Sequence, residues 1–150
     1  MHQQIATSPD GQGPDPDAGR NPHQRLMDRT SALRGAGVSV AGVAPELGSR
    51  HLRWAVLEDE MPAAVAALAR WKPEIRYAFT KSLSDQAGTL DAMLSSLIDA
   101  GYTIESVLVL ATDPGDGGVL VSAGIDRKMP WDEWRRLGGW GDEHADFKGI

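Results

Sequence analysis

The stretch SVLVLATDPGDGGVLVSAGI, residues 106–125, sets two apolar runs on either side of an acidic, glycine-rich segment. Each run has strand length and is rich in Val and Leu, with little polar alternation at its centre. Both faces of each strand are therefore expected to be covered. Between the runs, Pro114 presets one turn dihedral, and Gly115, Gly117 and Gly118 permit positive φ. The pattern predicts a β-hairpin with a loop of about six residues. Asp113, Asp116 and Gly117 form a fragment of an oxygen-ligand loop. The spaced third acid and the closing bidentate Glu of an EF-type calcium site are absent. The lysine and hydroxyl of a phosphate-cradling G-x-x-x-x-G-K-[ST] loop are absent as well. The segment reads as a turn.

Upstream of the hairpin, SLSDQAGTLDAMLSSLIDAGY (82–102) reads as a helix. Ala87, Leu90, Met93, Leu94, Leu97 and Ile98 fall on one stripe, Ser82-x-x-Asp85 resembles a capping box, and Gly101 suits a left-handed C-terminal position. EIRYAFT (74–80) alternates as a strand, with Ile75, Tyr77 and Phe79 on one face. EDEMPAAVAALARW (58–71) predicts a helix with Pro62 in its first turn, ended by Pro73. LRWAV (52–56) alternates again, with Leu52, Trp54 and Val56 on one side and Arg53 and Ala55 on the other. GAGVSVAGVAPELGS (35–49) is a glycine-rich connection with a loop or short edge strand at 38–43. Its GAG completes no G-x-G-x-x-G spacing. A short helix is expected over 24–34. Residues 1–22, made largely of Pro, Gly, Asp and Gln, have too little to bury to offset the cost of ordering and are expected to form a disordered arm.

Downstream, Pro130 begins a short helix with Asp132 and Glu133 in its first turn and Arg135 and Arg136 in its last. Trp131, Trp134 and Leu137 are spaced three apart and share an edge. Residues 142–150 form an acidic tail, in which Asp142, Glu143, His144 and Asp146 lack the spacing of a metal site.

These elements predict one α+β (or α/β) domain. Its order is β-α-β-α-β-β-α, with a mixed four-stranded sheet, or five-stranded if 38–43 is a strand, and helices packed on it. The divisions are an arm at 1–22, a short helix and connection at 23–50, a core at 51–141 and a tail at 142–150. A chain of 150 residues has room for one such domain and can bury roughly 70% of its unfolded surface.

Composition narrows the chemistry. The chain has no cysteine, which removes disulfides, thiol nucleophiles and thiolate metal sites. A net charge of −6 works against phosphate backbones, so nucleic-acid binding through Arg20, Arg25, Arg29 and Arg34 is disfavoured. No apolar run reaches the ~18–20 residues of a membrane span, and a cytoplasmic location is expected. No catalytic residue, cofactor-binding motif, metal site or small-molecule ligand is identifiable, and whether the chain is an enzyme leans to no. The reading is a small non-catalytic protein-interaction module with an accessory, regulatory or immunity-type role. Its partner is another protein or its own copy, met through Trp131, Trp134, Arg135, Arg136 and Trp140. The alternative is a metal-dependent enzyme whose acids, such as Asp113, Asp116, Asp126 and Asp142, converge only in three dimensions.

Overall fold

The computed structural model describes residues 2–8, 17–84, 86–112 and 118–140. The elements are β1 (His2–Thr7), α1 (Pro22–Gly35), β2 (Gly42–Pro45), β3 (Leu52–Leu57), α2 (Met61–Ala67), β4 (Glu74–Leu83), α3 (Thr89–Asp99), β5 (Ile104–Thr112), β6 (Val119–Ile125) and α4 (Trp131–Arg136). Short 3-10 turns at 58–60 and 69–71 flank α2. The order β-α-β-β-α thus occurs twice, over 2–67 and over 74–136.

The six strands form one sheet in the order β2-β3-β1-β4-β6-β5, and every pairing is antiparallel. This corrects the four- or five-stranded mixed sheet expected from sequence, within an α+β domain as expected. The crossovers through α2 and α3 do join strands of like direction. In each case an antiparallel strand is inserted between them, β1 between β3 and β4, and β6 between β4 and β5, giving split βαβ units. Strand β4 is shared between the halves. Its start at 74–76 pairs with β1, and its remainder at 77–83 pairs with β6.

Two further corrections concern the first residues. An arm without structure was expected over 1–22, yet residues 2–7 form β1, paired on both sides with Ile5 opposite Trp54 and Ile75. The edge strand expected at 38–43 lies at 42–45. Nearer the middle of the chain, Ser82 belongs to β4. Helix α3 starts later, at Thr89, behind Gly88 at φ 87° and without a side-chain cap. The loop aspartates Asp113 and Asp116 and the tail at 142–150 lie outside the described residues.

The helices cover one face of the sheet with two apolar cores. In the first, Leu33 of α1, with Met61, Ala64, Leu68 and Trp71 in and after α2, meets Ile5, Trp54 and Val56. In the second, Met93, Leu97, Tyr102, Met129 and Trp134 meet Phe79, Val121, Ala123 and Ile125. Leu90 and Ile98, placed on the buried stripe by periodicity, are exposed because only Met93 and Leu97 of that helix are fully covered.

The other face curls inward until β2 and β5 approach, and the sheet is nearly a barrel. Past the end of β2, Leu47 N donates to Glu105 O at 2.7 Å. The enclosed face is polar. Arg53, 0% exposed, donates to Glu46 at 2.7 Å, Glu105 at 2.6 Å and Gln4 Oε1 at 3.1 Å. Ser106 Oγ donates to the same Gln4 oxygen at 2.6 Å, and Gln4 Nε2 donates to Ser122 Oγ at 3.1 Å. Arg76 adds bonds to Glu46 and Glu74. This network reaches side chains from both halves. Gly124 is obligatory there, since a Cβ at that position would overlap Ser106 Oγ, Arg53 Nη1 and Gln4 Oε1.

Candidate functional site

The site is a cleft of about 470 Å³ where the end of β1, the first turns of α1 and the entry to β3 converge. Thr7 and Ser8 supply one wall, Pro22, His23, Arg25, Leu26 and Arg29 a second, and Arg50 and Leu52 a third. The local sequence explains why α1 begins here. Asn21 accepts a bond from Gln24 N at 2.9 Å, and Gln24 Oε1 accepts one from Asn21 N at 3.0 Å. That reciprocal box, with Pro22 in the first turn, satisfies helix donors that would otherwise be orphaned. Leu26 and Leu52 give the cleft an apolar lining, while Arg25, Arg29 and Arg50 give it positive charge. Clefts with this mixture of apolar wall and a few oriented polar groups are the usual form of a small-molecule site.

Arg29 anchors the inner wall at 1% exposure. Its Nε donates to Thr7 Oγ1 at 2.9 Å, Nη1 to Asp17 Oδ1 at 2.9 Å and Arg25 O at 3.1 Å, and Nη2 to Asp17 Oδ2 at 2.5 Å and Ser8 O at 3.0 Å. All five guanidinium N–H groups therefore have an acceptor. Asp17, 2% exposed, also accepts from Trp71 Nε1 at 3.2 Å. Arg29 and Arg70 lie over the Trp71 ring at 5.1 Å and 4.3 Å from its centroid. A bidentate pair buried this deeply needs all these bonds to offset the loss of hydration.

The cleft lies on the helix-covered face of the sheet and the polar network on the other, and the two share strands β1 and β3. On β1, Thr7 lines the cleft and Gln4 joins the network. On β3, Leu52 lines the cleft and its neighbour Arg53 joins the network. Glu46 in that network shows the electrostatic consequence. Burial alone would raise its pKa, but the bonds and charges of Arg53 and Arg76 prevail and hold it below the ordinary value.

The expected contact residues are dispersed differently. Trp134 is 3% exposed in the second core, stacked at 5.1 Å against Trp131, so it is removed from any contact surface. A Cβ on Gly139 would overlap its indole, and the close approach explains why the Gly-Gly break follows α4. Trp131 and Trp140 are half-buried, and Arg135 and Arg136 are exposed. Trp140 N donates to Thr80 O at 2.7 Å. Of the acids of the metal-enzyme alternative, Asp126 is the one described. Its carboxylate accepts from Thr103 N at 2.9 Å and pairs with Arg127, and the backbone bond leads in holding its pKa below the ordinary value. No group of three or more metal-ligating side chains occurs among the described residues. No helix among them is long and apolar enough to cross a membrane.

Sequence reasoning singled out Arg20, Arg25, Arg29 and Arg34 only for nucleic acid. The structure brings Arg25 and Arg29 to the cleft, pairs Arg20 with Asp28 at 2.8 Å and leaves Arg34 exposed at the far end of α1. Asp17, Arg50 and Trp71 were not singled out.

The repeated split βαβ arrangement is that of a ferredoxin-like fold. Similar solved structures include the ligand-free regulatory subunit of aspartate kinase from Thermus thermophilus, at 18% identity and a TM-score of 0.54, covering 83% of this chain and 80% of that one. A protein from Bacteroides thetaiotaomicron is similar at 14% identity and a TM-score of 0.58, over 90% and 84% of the two chains. No family model and no curated protein matches the sequence.

Proposed function

We propose that the chain is a non-catalytic regulatory module that binds a small anionic metabolite in the α1–β1–β3 cleft. The observation that carries this reading is the cleft itself, which combines apolar walls with Arg25 and Arg50 at its sides. The regulatory role of the Thermus subunit, which shares the fold, supports the choice of a binding over a catalytic role. The polar face gives occupancy a route to the second half, because Thr7 and Leu52 lie on the same strands as Gln4 and Arg53. The output is contact with another protein or a second copy. Trp131, Arg135, Arg136 and Trp140 supply its surface, and Arg135 lies 5.9 Å from the centroid of the half-buried Trp131 ring.

The test is calorimetric titration of the full chain with amino acids, hydroxy acids, dicarboxylates and phosphate esters, repeated on Arg25→Met and Arg50→Met. One ligand class is expected to bind at one site per chain, with affinity falling at least about tenfold in each variant, a loss of about 1.4 kcal/mol. Absence of binding across the panel, or binding indifferent to both substitutions, removes the reading.

A further inference from the structure

Arg29 lines the cleft with every guanidinium N–H committed within the protein, and the manner of its commitment is informative. The two ends of its guanidinium and the Trp71 indole N–H point at one carboxylate, that of Asp17, through three bonds of 2.5–3.2 Å. Arginine's planar fork and an indole donor in a buried, aromatic-walled position make a seat matched to the geometry of a carboxylate. The carboxylate that fills it belongs to no helix or strand. Asp17 begins a turn at 17–19, closed by Arg20 N donating to Asp17 O at 2.9 Å and by Gly19 at φ 73°. Arg20 in turn is held by Asp28 near the surface of α1.

We infer that the Arg29–Trp71 seat is a carboxylate-binding site which the chain keeps filled with its own Asp17, and that a small carboxylate effector entering the adjoining cleft competes with residue 17 for it. This rests on the cleft being the ligand site and adds the group that the ligand must present, a free carboxylate. Exchange of one carboxylate for another preserves the bonds of the seat. What opposes the effector is therefore the covalent tethering of Asp17, which acts as an internal competitor. The ordinary affinity of the chain for a free carboxylate is lowered by the fraction of time that residue 17 holds the seat.

The experiment uses acetate as the probe, against chloride at equal ionic strength, on the full chain, on Asp17→Ala and on Asp17→Ala/Arg29→Met. Binding is read by calorimetry and by the shift of the melting temperature. Asp17→Ala is expected to bind acetate at least about tenfold more tightly than the unaltered chain, and Arg29→Met is expected to abolish the gain. If Asp17→Ala is unfolded alone, acetate and not chloride is expected to restore the fold. In the unaltered chain, saturating acetate is expected to speed amide exchange at residues 17–20 and leave the rest of α1 unchanged. A response to acetate no greater than to chloride in Asp17→Ala overturns the inference, as does unchanged exchange at 17–20. An effector that binds through Arg25 and Arg50 with residue 17 unmoved leaves the proposed function standing and removes only this inference.

Discussion

Two arginines are buried to the same degree in this protein, and they are built into different tasks. Arg29 closes both Nη groups on one carboxylate, Asp17, and its remaining bonds, to Thr7, Arg25 O and Ser8 O, stay beside the cleft of the first half. Arg53 divides itself among Glu46, Glu105 and Gln4, and those partners come from both halves. A fork closed on one partner makes a local clamp. A fork opened across several strands makes a tie between substructures. The difference lies in topology more than in residue type. Arg53 sits on β3, whose polar side faces the closed interior of a six-stranded sheet, whereas Arg29 sits on the inner side of a covering helix.

The largest effect should come from cutting the tie. Arg53→Met leaves Glu105 and Gln4 without their cation and Glu46 with Arg76 alone. It is expected to cost about 3–5 kcal/mol in urea unfolding, the range for breaking a buried ion pair by removing one partner. Gly124→Ala attacks the same place by volume and is expected to cost about 1–3 kcal/mol, because three polar atoms must shift to admit the methyl group. A cost for Gly124→Ala near zero would mean that the interior is looser than its hydrogen bonds imply.

Acid distinguishes the tie from the covalent frame around it. Glu46 has a folded pKa below its ordinary 4.5, so its contribution is fully present above that value and is lost as pH falls through the lower folded value. Stability measured from pH 6 downward is therefore expected to fall across that window, and Arg53→Met should flatten the fall. Alkali provides the counterpart in the second half. Tyr102 is pushed up to about 12 by burial and by its 2.8 Å bond to Glu133. Its contribution is complete below the unfolded value near 10 and is lost as pH rises through about 12. Tyr102→Phe should remove that alkaline limb and cost only about 0.5–1.5 kcal/mol at neutral pH, the smallest of these effects.

The second half was far more legible than the first. Its hairpin, the start and end of α4 and the left-handed Gly101 follow from strong local signals: paired apolar runs, Pro130, and glycines at positive φ. Strand β1 gave no such signal. HQQIAT contains one large apolar residue, Ile5, and its Gln4 is buried because an interior of Arg53, Ser106 and Ser122 receives it. A polar residue facing a polar interior reads in sequence as a residue facing water. Ser106, opposite Gly124, and Ser122, opposite Leu108, were the visible trace of that interior. The same ambiguity hid the site. Asp17 lies in a polar, proline-rich stretch whose composition suggested an arm, and only the folded chain brings Trp71 and Arg29 to it. Trp131 and Trp134 were given one surface, but three-residue spacing cannot say which of two stacked rings enters the core.

The central claim, that Arg53 ties the two halves while Arg29 clamps only the first, is tested most directly by amide exchange with mass-spectrometric localisation on Arg53→Met and Arg29→Met. Arg53→Met is expected to speed exchange in β1 and β3 and also in β5 and β6. Arg29→Met is expected to speed it at residues 17–35 and 69–71 alone. Acceleration by Arg53→Met that stops at β3, with β5 and β6 as slow as in the unaltered chain, would contradict it.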